Sequence, residues 1–207
     1  MFFKSLELQG FKSFPDRVKL EFEQGLTAVV GPNGSGKSNI GDAIRWVLGE
    51  QSTKLLRGNR MEDVIFSGTK QRRPAGFAAV TIQLDNHTGM FSEAYGETVA
   101  ITRKLYRSGE SVYQINGKAV RLKDVQELLM DTGMGRDGYA IIGQGRIAEI
   151  VSARSTDRRE LFEEATGVSK FRYKREEAER NLQAAQENLV RLQDIAATLE
   201  GRVEPLR

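Results

Sequence analysis

Gly31-Pro32-Asn33-Gly34-Ser35-Gly36-Lys37-Ser38 is the stretch whose reading decides the fold. It matches G-x-x-x-x-G-K-[ST] at every fixed position. Leu26-Thr27-Ala28-Val29-Val30, just before it, is a nearly continuous apolar run that reads as a fully buried strand. Ser38–Leu48, just after it, reads as a helix. Strand, glycine-rich loop and helix are the context in which this pattern cradles phosphate. Its glycines let successive backbone N–H groups converge on phosphate oxygens without Cβ clashes. The helix N-terminus adds free donors and a favourable dipole. Lys37 is the cation that reaches the β- and γ-phosphates of a nucleoside triphosphate, and the Ser38 hydroxyl is a Mg²⁺ ligand.

Outward from the loop, the first 150 residues or so hold short alternating apolar runs. Lys4–Gln9 and Val18–Phe22 read as strands; in the second, Val18, Leu20 and Phe22 alternate with Lys19 and Glu21, so one face is buried. Ala78–Leu84 and Thr98–Tyr106 are further strands. Val112–Ile115 and Lys118–Arg121 flank Asn116-Gly117, a pair suited to the positive φ angles of a type I′ hairpin turn. Leu122–Met130 reads as a short helix and Ala140-Ile141-Ile142 as a short strand. Trp46 is expected to pack between helix and sheet, and His87 to lie at a loop tip.

Beyond residue 155 the pattern changes. Asp157 with Glu160 resembles a capping box, and Gly167 is placed to break or bend the helix it opens. Val168, Phe171, Arg175, Ala178, Leu182, Ala185, Leu189, Leu192, Ala196, Leu199, Val203 and Leu206 then follow one another at steps of three and four. A 3.5-residue period held this long predicts a coiled coil, with an interruption at Pro205. Such a seam needs a partner strand, and the first 150 residues hold none. The seam also runs to Arg207, which suggests a fragment.

Composition narrows the chemistry. The chain has 207 residues, no cysteine and one histidine, His87, which excludes disulfides, thiol nucleophiles and cysteine-ligated zinc. No apolar run approaches the roughly 18 residues of a membrane span, and the N-terminus lacks a signal-peptide core. A cytoplasmic protein is expected. Net charge is +3, from 31 basic and 28 acidic residues. From Val151 onward the count is 11 against 11, so the excess lies in the first 150 residues, as 20 against 17. That is a slight pointer to a basic patch on the globular part. A hydrolase of this type also needs an acidic residue at a strand end for Mg²⁺, and no apolar run ends in Asp-Glu. Leu128-Leu129-Met130-Asp131 and Val80–Asp85 come nearest, and neither fits well.

Several further segments carry a resemblance. They are Gly10-Phe11-Lys12-Ser13-Phe14, the loop Gly31–Ser38 with Asn39, Asp42-Ala43-Ile44-Arg45-Trp46-Val47-Leu48-Gly49-Glu50, Leu56-Arg57-Gly58, Met61–Phe66 and Gly143-Gln144-Gly145. Together with Arg158-Arg159, Phe162–Ala165 and Gly167 they resemble the N-terminal half of the ATPase head of the bacterial structural maintenance of chromosomes (SMC) family. The resemblance implies an α/β fold: the N-terminal lobe of an ABC-type P-loop ATPase, a mixed sheet with its P-loop helix, over residues 1–155. A long head-proximal coiled-coil helix would occupy residues 156–207. It implies ATP and Mg²⁺ as cofactors. It also implies a C-terminal lobe carrying the acidic pair, a second SMC head, a kleisin subunit at the coiled coil, and sequence-independent double-stranded DNA as partners.

Carried over residue by residue, Pro32, Asn33, Gly34, Ser35, Gly36, Lys37, Ser38 and Asn39 match the phosphate loop. Gln144 matches the glutamine that contacts Mg²⁺ and the attacking water. Arg57 matches an arginine linked to nucleotide sensing or head engagement. Lys12 and Ser13 would lie near the phosphates, and Asp63 would face the base or ribose. Lys37, Gln144 and Arg57 form the expected catalytic set, with Ser38 and Gln144 on the metal. Arg60, Arg121 and Lys123 are the expected DNA contacts, made to phosphates. Three other readings stand beside this one: a long-coil ABC ATPase of DNA break repair or recombination, a self-contained small P-loop kinase or GTPase, and a non-enzymatic coiled-coil scaffold.

Overall fold

A computed structural model describes residues 2–130, 132, 134, 141–142 and 169–203. The chain divides into two compact units, Met1–Arg158 and Arg159–Arg207.

The first unit is built on a six-stranded sheet. Its strands are β1 (Phe3–Gln9), β2 (Val18–Glu21), β3 (Phe77–Asp85), β4 (Thr98–Tyr106), β5 (Ser111–Ile115) and β6 (Lys118–Val120). They lie in the order β2-β1-β3-β4-β5-β6, and every ladder among the described residues is antiparallel. Alternation decides the faces. Along β3, Ala78, Val80, Ile82 and Leu84 are buried, while Phe77, Ala79, Thr81 and Gln83 are only partly so. Along β4 the buried row is Val99, Ile101, Arg103 and Leu105. Asn116 (φ 48°) and Gly117 (φ 78°) both take the left-handed region, as the hairpin turn requires.

Among the described residues two α-helices pack on the sheet: α1 (Lys37–Val47) and α2 (Leu122–Met130). Helix α1 buries Ala43, Trp46 and Val47, and α2 buries Val125 and Leu129. Trp46 is fully buried and its ring meets Phe11 at 5.4 Å, the helix-to-sheet role expected of it. The stretch Leu128–Met130 is helical, so it is not the strand end a Mg²⁺ carboxylate needs. Asp85 ends β3 buried, held by Lys4 at 3.5 Å and by the His87 ring. Burial raises the Asp85 pKa, but hydrogen bonds from His87 and Lys4 outweigh it, and the net shift is downward. His87 keeps an exposed side chain at the turn, while its ring also reaches Glu97 at 3.7 Å.

One strand expectation is overturned. Leu26–Val30 forms no strand and is not buried: Leu26 is 99 % and Val30 87 % exposed. A fully buried strand needs a hydrogen-bonding neighbour and cover on both faces. Among the described residues nothing supplies either. The apolar run records what the segment is built to pair with, not a partner within these residues.

Gly10 ends β1 at φ +62°, and a Cβ there would stand 2.2 Å from the Phe77 carbonyl oxygen. Its own carbonyl accepts the Phe66 N–H at 2.8 Å. Gly10→Ala must therefore move β3 or the loop that follows. We expect a loss of about 2–4 kcal/mol, read as a lower urea midpoint.

The second unit contains α3 (Ser169–Val203), 35 residues and about 50 Å long. The seam expected from the sequence lies bare along it: Phe171, Leu182, Leu189, Leu192 and Leu199 are all 56 % or more exposed. The short buried strand expected over Ala140-Ile141-Ile142 is not borne out where it is described: Ile141 and Ile142 form no strand, and Ile142 is 55 % exposed. Ala140, Asp157, Gly167 and Pro205 lie outside the described residues.

Candidate functional site

The loop Gly31–Ser38 leads into α1, whose N-cap is Gly36 at φ 96°. Gly34 is also left-handed, at φ 84°. A side chain at position 36 would meet Ser13 Oγ at 2.9 Å and the Phe14 ring at 3.3 Å, so this loop packs directly on the turn after β1. No side chain caps α1, and no acidic residue sits in its first turn. Its first N–H groups therefore have no competing side-chain partner, which is what an anion seat requires. Lys37 Nζ folds back over the loop and donates to the carbonyl oxygens of Gly31 (2.6 Å) and Pro32 (2.7 Å). Ser38 follows it at the helix start and is exposed.

Beside this loop lies a polar network that ties three segments together. Asn39 Nδ2 donates to Ser13 Oγ at 2.8 Å, and Asn39 Oδ1 accepts from Arg57 at 2.8 Å. One turn further along α1, Asp42 Oδ2 accepts from Lys12 at 2.5 Å and from Arg57 Nη2 at 2.5 Å and Nε at 3.0 Å. Lys12 Nζ also donates to the Leu56 carbonyl. Lys12 (φ 45°) and Arg57 (φ 55°) both hold left-handed backbone, a conformation that non-glycine residues adopt seldom. The turn after β1, helix α1 and the Leu56–Arg57 loop thus meet on one carboxylate.

Sequence reasoning placed Lys12, Ser13, Asn39 and Arg57 at the site, and the structure brings all four together against α1. It missed Asp42. The available signal was position: Asp42 lies three residues after Asn39 and five after Lys37, on the same side of α1 as Asn39.

Asp63 stands outside this network but next to it, on the 3₁₀ turn Met61–Val64, whose Val64 carbonyl accepts the Lys12 N–H at 2.7 Å. Its Oδ2 accepts the backbone N–H groups of Asn59 (2.8 Å) and Arg60 (2.9 Å), which caps the 3₁₀ turn Met61–Val64. Those two bonds, that of Arg60 first, hold the carboxyl below its usual pKa. Asp63 also lines an open cavity of about 600 Å³ with Arg60, Glu62, Ile65, Ser67 and Arg107. Arg121 precedes α2, where its N–H donates to Asp124 at 2.8 Å, and Lys123 pairs with Glu127 at 3.8 Å. Gln144 lies outside the described residues. Among the described residues, no group of three or more His, Cys, Asp or Glu is placed to hold a metal ion.

A glycine loop leading to an uncapped helix N-terminus, with a lysine as first helical residue, puts the first unit in the class of P-loop lobes, and a long helix with an exposed apolar seam follows it in the chain. The chain belongs to the family of the RecF/RecN/SMC N-terminal domain, which it matches over residues 2–206. It is 57 % identical over 206 residues to the chromosome partition protein Smc of Desulfitobacterium hafniense, covering 100 % of this chain and 17 % of that protein. The chain thus spans about a sixth of the length of the curated relatives it matches.

Two solved structures share the fold. One is the Smc head domain with an extended coiled coil bound to the C-terminal domain of ScpA, from Pyrococcus furiosus. It has a TM-score of 0.76 and 39 % identity, over 92 % of this chain and 48 % of that one. The other comes from work on ATP-driven dimerization and DNA-stimulated activation of SMC ATPases. It has a TM-score of 0.71 and 38 % identity, over 80 % of this chain and 99 % of that one.

Proposed function

We propose that this chain is the ATP-binding half of an SMC head, with residues 1–155 as the N-terminal lobe and residues 156–207 as the start of the coiled coil. The observation that carries the reading is the uncapped N-terminus of α1 behind Gly31–Ser38, in a chain of this family. The residues present fit a nucleotide's phosphates. The loop N–H groups and the start of α1 seat anionic oxygens, and Lys37 supplies a positive charge in place of its two carbonyl contacts. Ser38 would offer one oxygen to Mg²⁺, which would draw charge from the terminal phosphates, and Gln144 would offer another. Arg57, Lys12 and Ser13 border the seat, and Asp63 faces the base or ribose.

Hydrolysis would be completed by a C-terminal lobe supplying the carboxylates that the described residues do not bring to the loop. The exposed Leu26 and Val30 support this, because an apolar run of this kind needs a sheet to enter. The bare seam of α3 supports a returning coiled-coil strand in the same way. ATP binding would drive engagement with a second head, and hydrolysis would release it. The relative solved with ScpA supports a kleisin at the head-proximal helix. Arg60, Arg121 and Lys123 would meet double-stranded DNA through its phosphates, in the cytoplasm at the nucleoid, to organise and segregate chromosomes. The identity to a chromosome partition protein favours this over a break-repair relative.

Steady-state ATP hydrolysis tests the split site. The 207-residue chain alone should be silent or nearly so, and Lys37-dependent turnover should rise on adding the C-terminal head segment. Robust Lys37-dependent turnover by the chain alone would mean the acid and base are already present, and the split-head reading would be lost.

A further inference from the structure

Asp42 sits at the centre of the site with only 5 % of its side chain exposed, and it faces two cations that differ in freedom. Lys12 is 13 % exposed, and its Nζ is held by two acceptors, Asp42 Oδ2 and the Leu56 carbonyl. Arg57 is 52 % exposed and is held by Asp42 and Asn39. A buried carboxylate that loses its sole cation is left uncompensated at a large cost. Asp42 does not meet that cost if Arg57 departs, because Lys12 stays.

The destination is close at hand. Asn39, which shares the Arg57 guanidinium, follows Ser38 directly and lies within the first turn of α1. An anion seated at that helix start would compete with Asp42 for a half-exposed guanidinium only one side chain away. Both loops that deliver the cations hold non-glycine residues in left-handed backbone, so each cation is placed by a specific loop geometry.

We propose that Asp42 is a positioning residue that parks Arg57 away from the nucleotide, and that Lys12 keeps Asp42 compensated when Arg57 leaves for the phosphates. The Lys12–Asp42 pair is the permanent element and Arg57 the exchangeable one. The inference rests on the reading of Gly31–Ser38 as an ATP seat. It gives the site a built-in cost: the competent arrangement must first break the Arg57–Asp42 contact, which lowers apparent affinity by the fraction of molecules in which Arg57 is free. ATP brings one more phosphoryl group to the helix start than ADP, so ATP draws Arg57 more strongly.

The test is the equilibrium dissociation constant for ATP and for ADP, measured by titration calorimetry on the full-length protein and its variants. Asp42→Asn removes the charge that parks Arg57 and should tighten ATP binding about 5-fold or more, with a smaller change for ADP. Arg57→Ala should weaken ATP binding, and adding Asp42→Asn to it should produce no gain. A residue that merely stabilised the fold would not change the ratio of ATP to ADP affinity in an Arg57-dependent way. Asp42→Asn leaves Lys12 without its carboxylate, so the double variant Lys12→Met, Asp42→Asn removes both buried charges together and should show the same gain when compared with Lys12→Met alone.

The proposal is overturned if the folded variant binds ATP no more tightly than the unsubstituted protein, or if the gain survives removal of Arg57. It is equally overturned if Arg57→Ala leaves ATP affinity unchanged. Lys37→Ala separates the two levels. If Lys37 matters to ATP binding and Asp42 does not, the switch fails alone. If neither matters, the ATP seat itself is misplaced.

Discussion

Lys37→Ala lowers ATP turnover of the full-length protein by about 100-fold or more, the size of effect seen when one preorganised electrostatic donor is removed from a reaction site. The same substitution shifts the melting temperature by no more than about 2 °C. The two halves of this expectation follow from one geometry. The Lys37 ammonium binds only carbonyls of its own loop, those of Gly31 and Pro32, and both residues are exposed. Water replaces such bonds at little cost when the lysine is removed. Against a triphosphate the ammonium has no replacement, because the loop offers N–H dipoles but no other full charge. Phosphate release and scanning calorimetry on the same preparation read both halves. Turnover that survives in Lys37→Ala would place the nucleotide somewhere other than Gly31–Ser38.

How much of this was legible in the sequence depends on where each residue's partners lie. The strands Phe3–Gln9, Val18–Glu21, Phe77–Asp85 and Thr98–Tyr106 were readable because alternation is a local signal and their neighbours lie within the same sheet. The hairpin was readable because Asn116 and Gly117 carry their own conformational preference. The long helix was readable from its period alone, and its bare seam agrees with the need for a partner. Leu26–Val30 was misread for a corresponding reason. An apolar run states that a segment is to be covered, but says nothing of which segment covers it.

The phosphate loop was legible because its function is carried by backbone, and glycine positions encode backbone. Asp42 was not, because its role arises from two loops, 30 and 15 residues away in sequence, closing on one helix face. In the one-dimensional pattern it is only the first residue of the segment Asp42–Glu50, a carboxylate between Gly41 and Ala43 with no partner in view.

Arg103→Ala should destabilise the first unit by about 3–5 kcal/mol, a core-sized loss from a charged residue. Arg103 occupies the inward row of β4 beside Ile101 and Leu105 and is 1 % exposed. Among the described residues no carboxylate pairs with it. Burial instead lowers its pKa to about 10, still well above neutral, so it remains a cation. What compensates the charge is the end of α1. Nη1 donates to the carbonyls of Trp46 at 2.9 Å and Glu50 at 2.8 Å, where the helix ends and its dipole is negative. The guanidinium also lies over the rings of Trp46, at 4.6 Å, and Tyr113, at 4.9 Å.

Truncation to alanine thus removes packing against two aromatics, takes the guanidinium from the Glu50 carbonyl, and leaves the Trp46 carbonyl with the Gly49 N–H at 3.2 Å alone. Arg103→Met restores most of the volume but not the donors, so it should recover roughly half of the loss. Arg103→Lys keeps the charge but not the planar fork that lies on the two rings, and should fall between the two. Urea unfolding of the three variants separates these contributions. If Arg103→Met were as stable as the unsubstituted protein, the helix-end carbonyls would not need the guanidinium, and packing alone would account for a buried arginine here. Because Trp46 lies in the last turn of the helix that opens at Lys37, and Glu50 three residues beyond its end, the Met and Lys variants also show whether loosening that end is felt at the phosphate seat, as weaker ATP binding at unchanged Lys37.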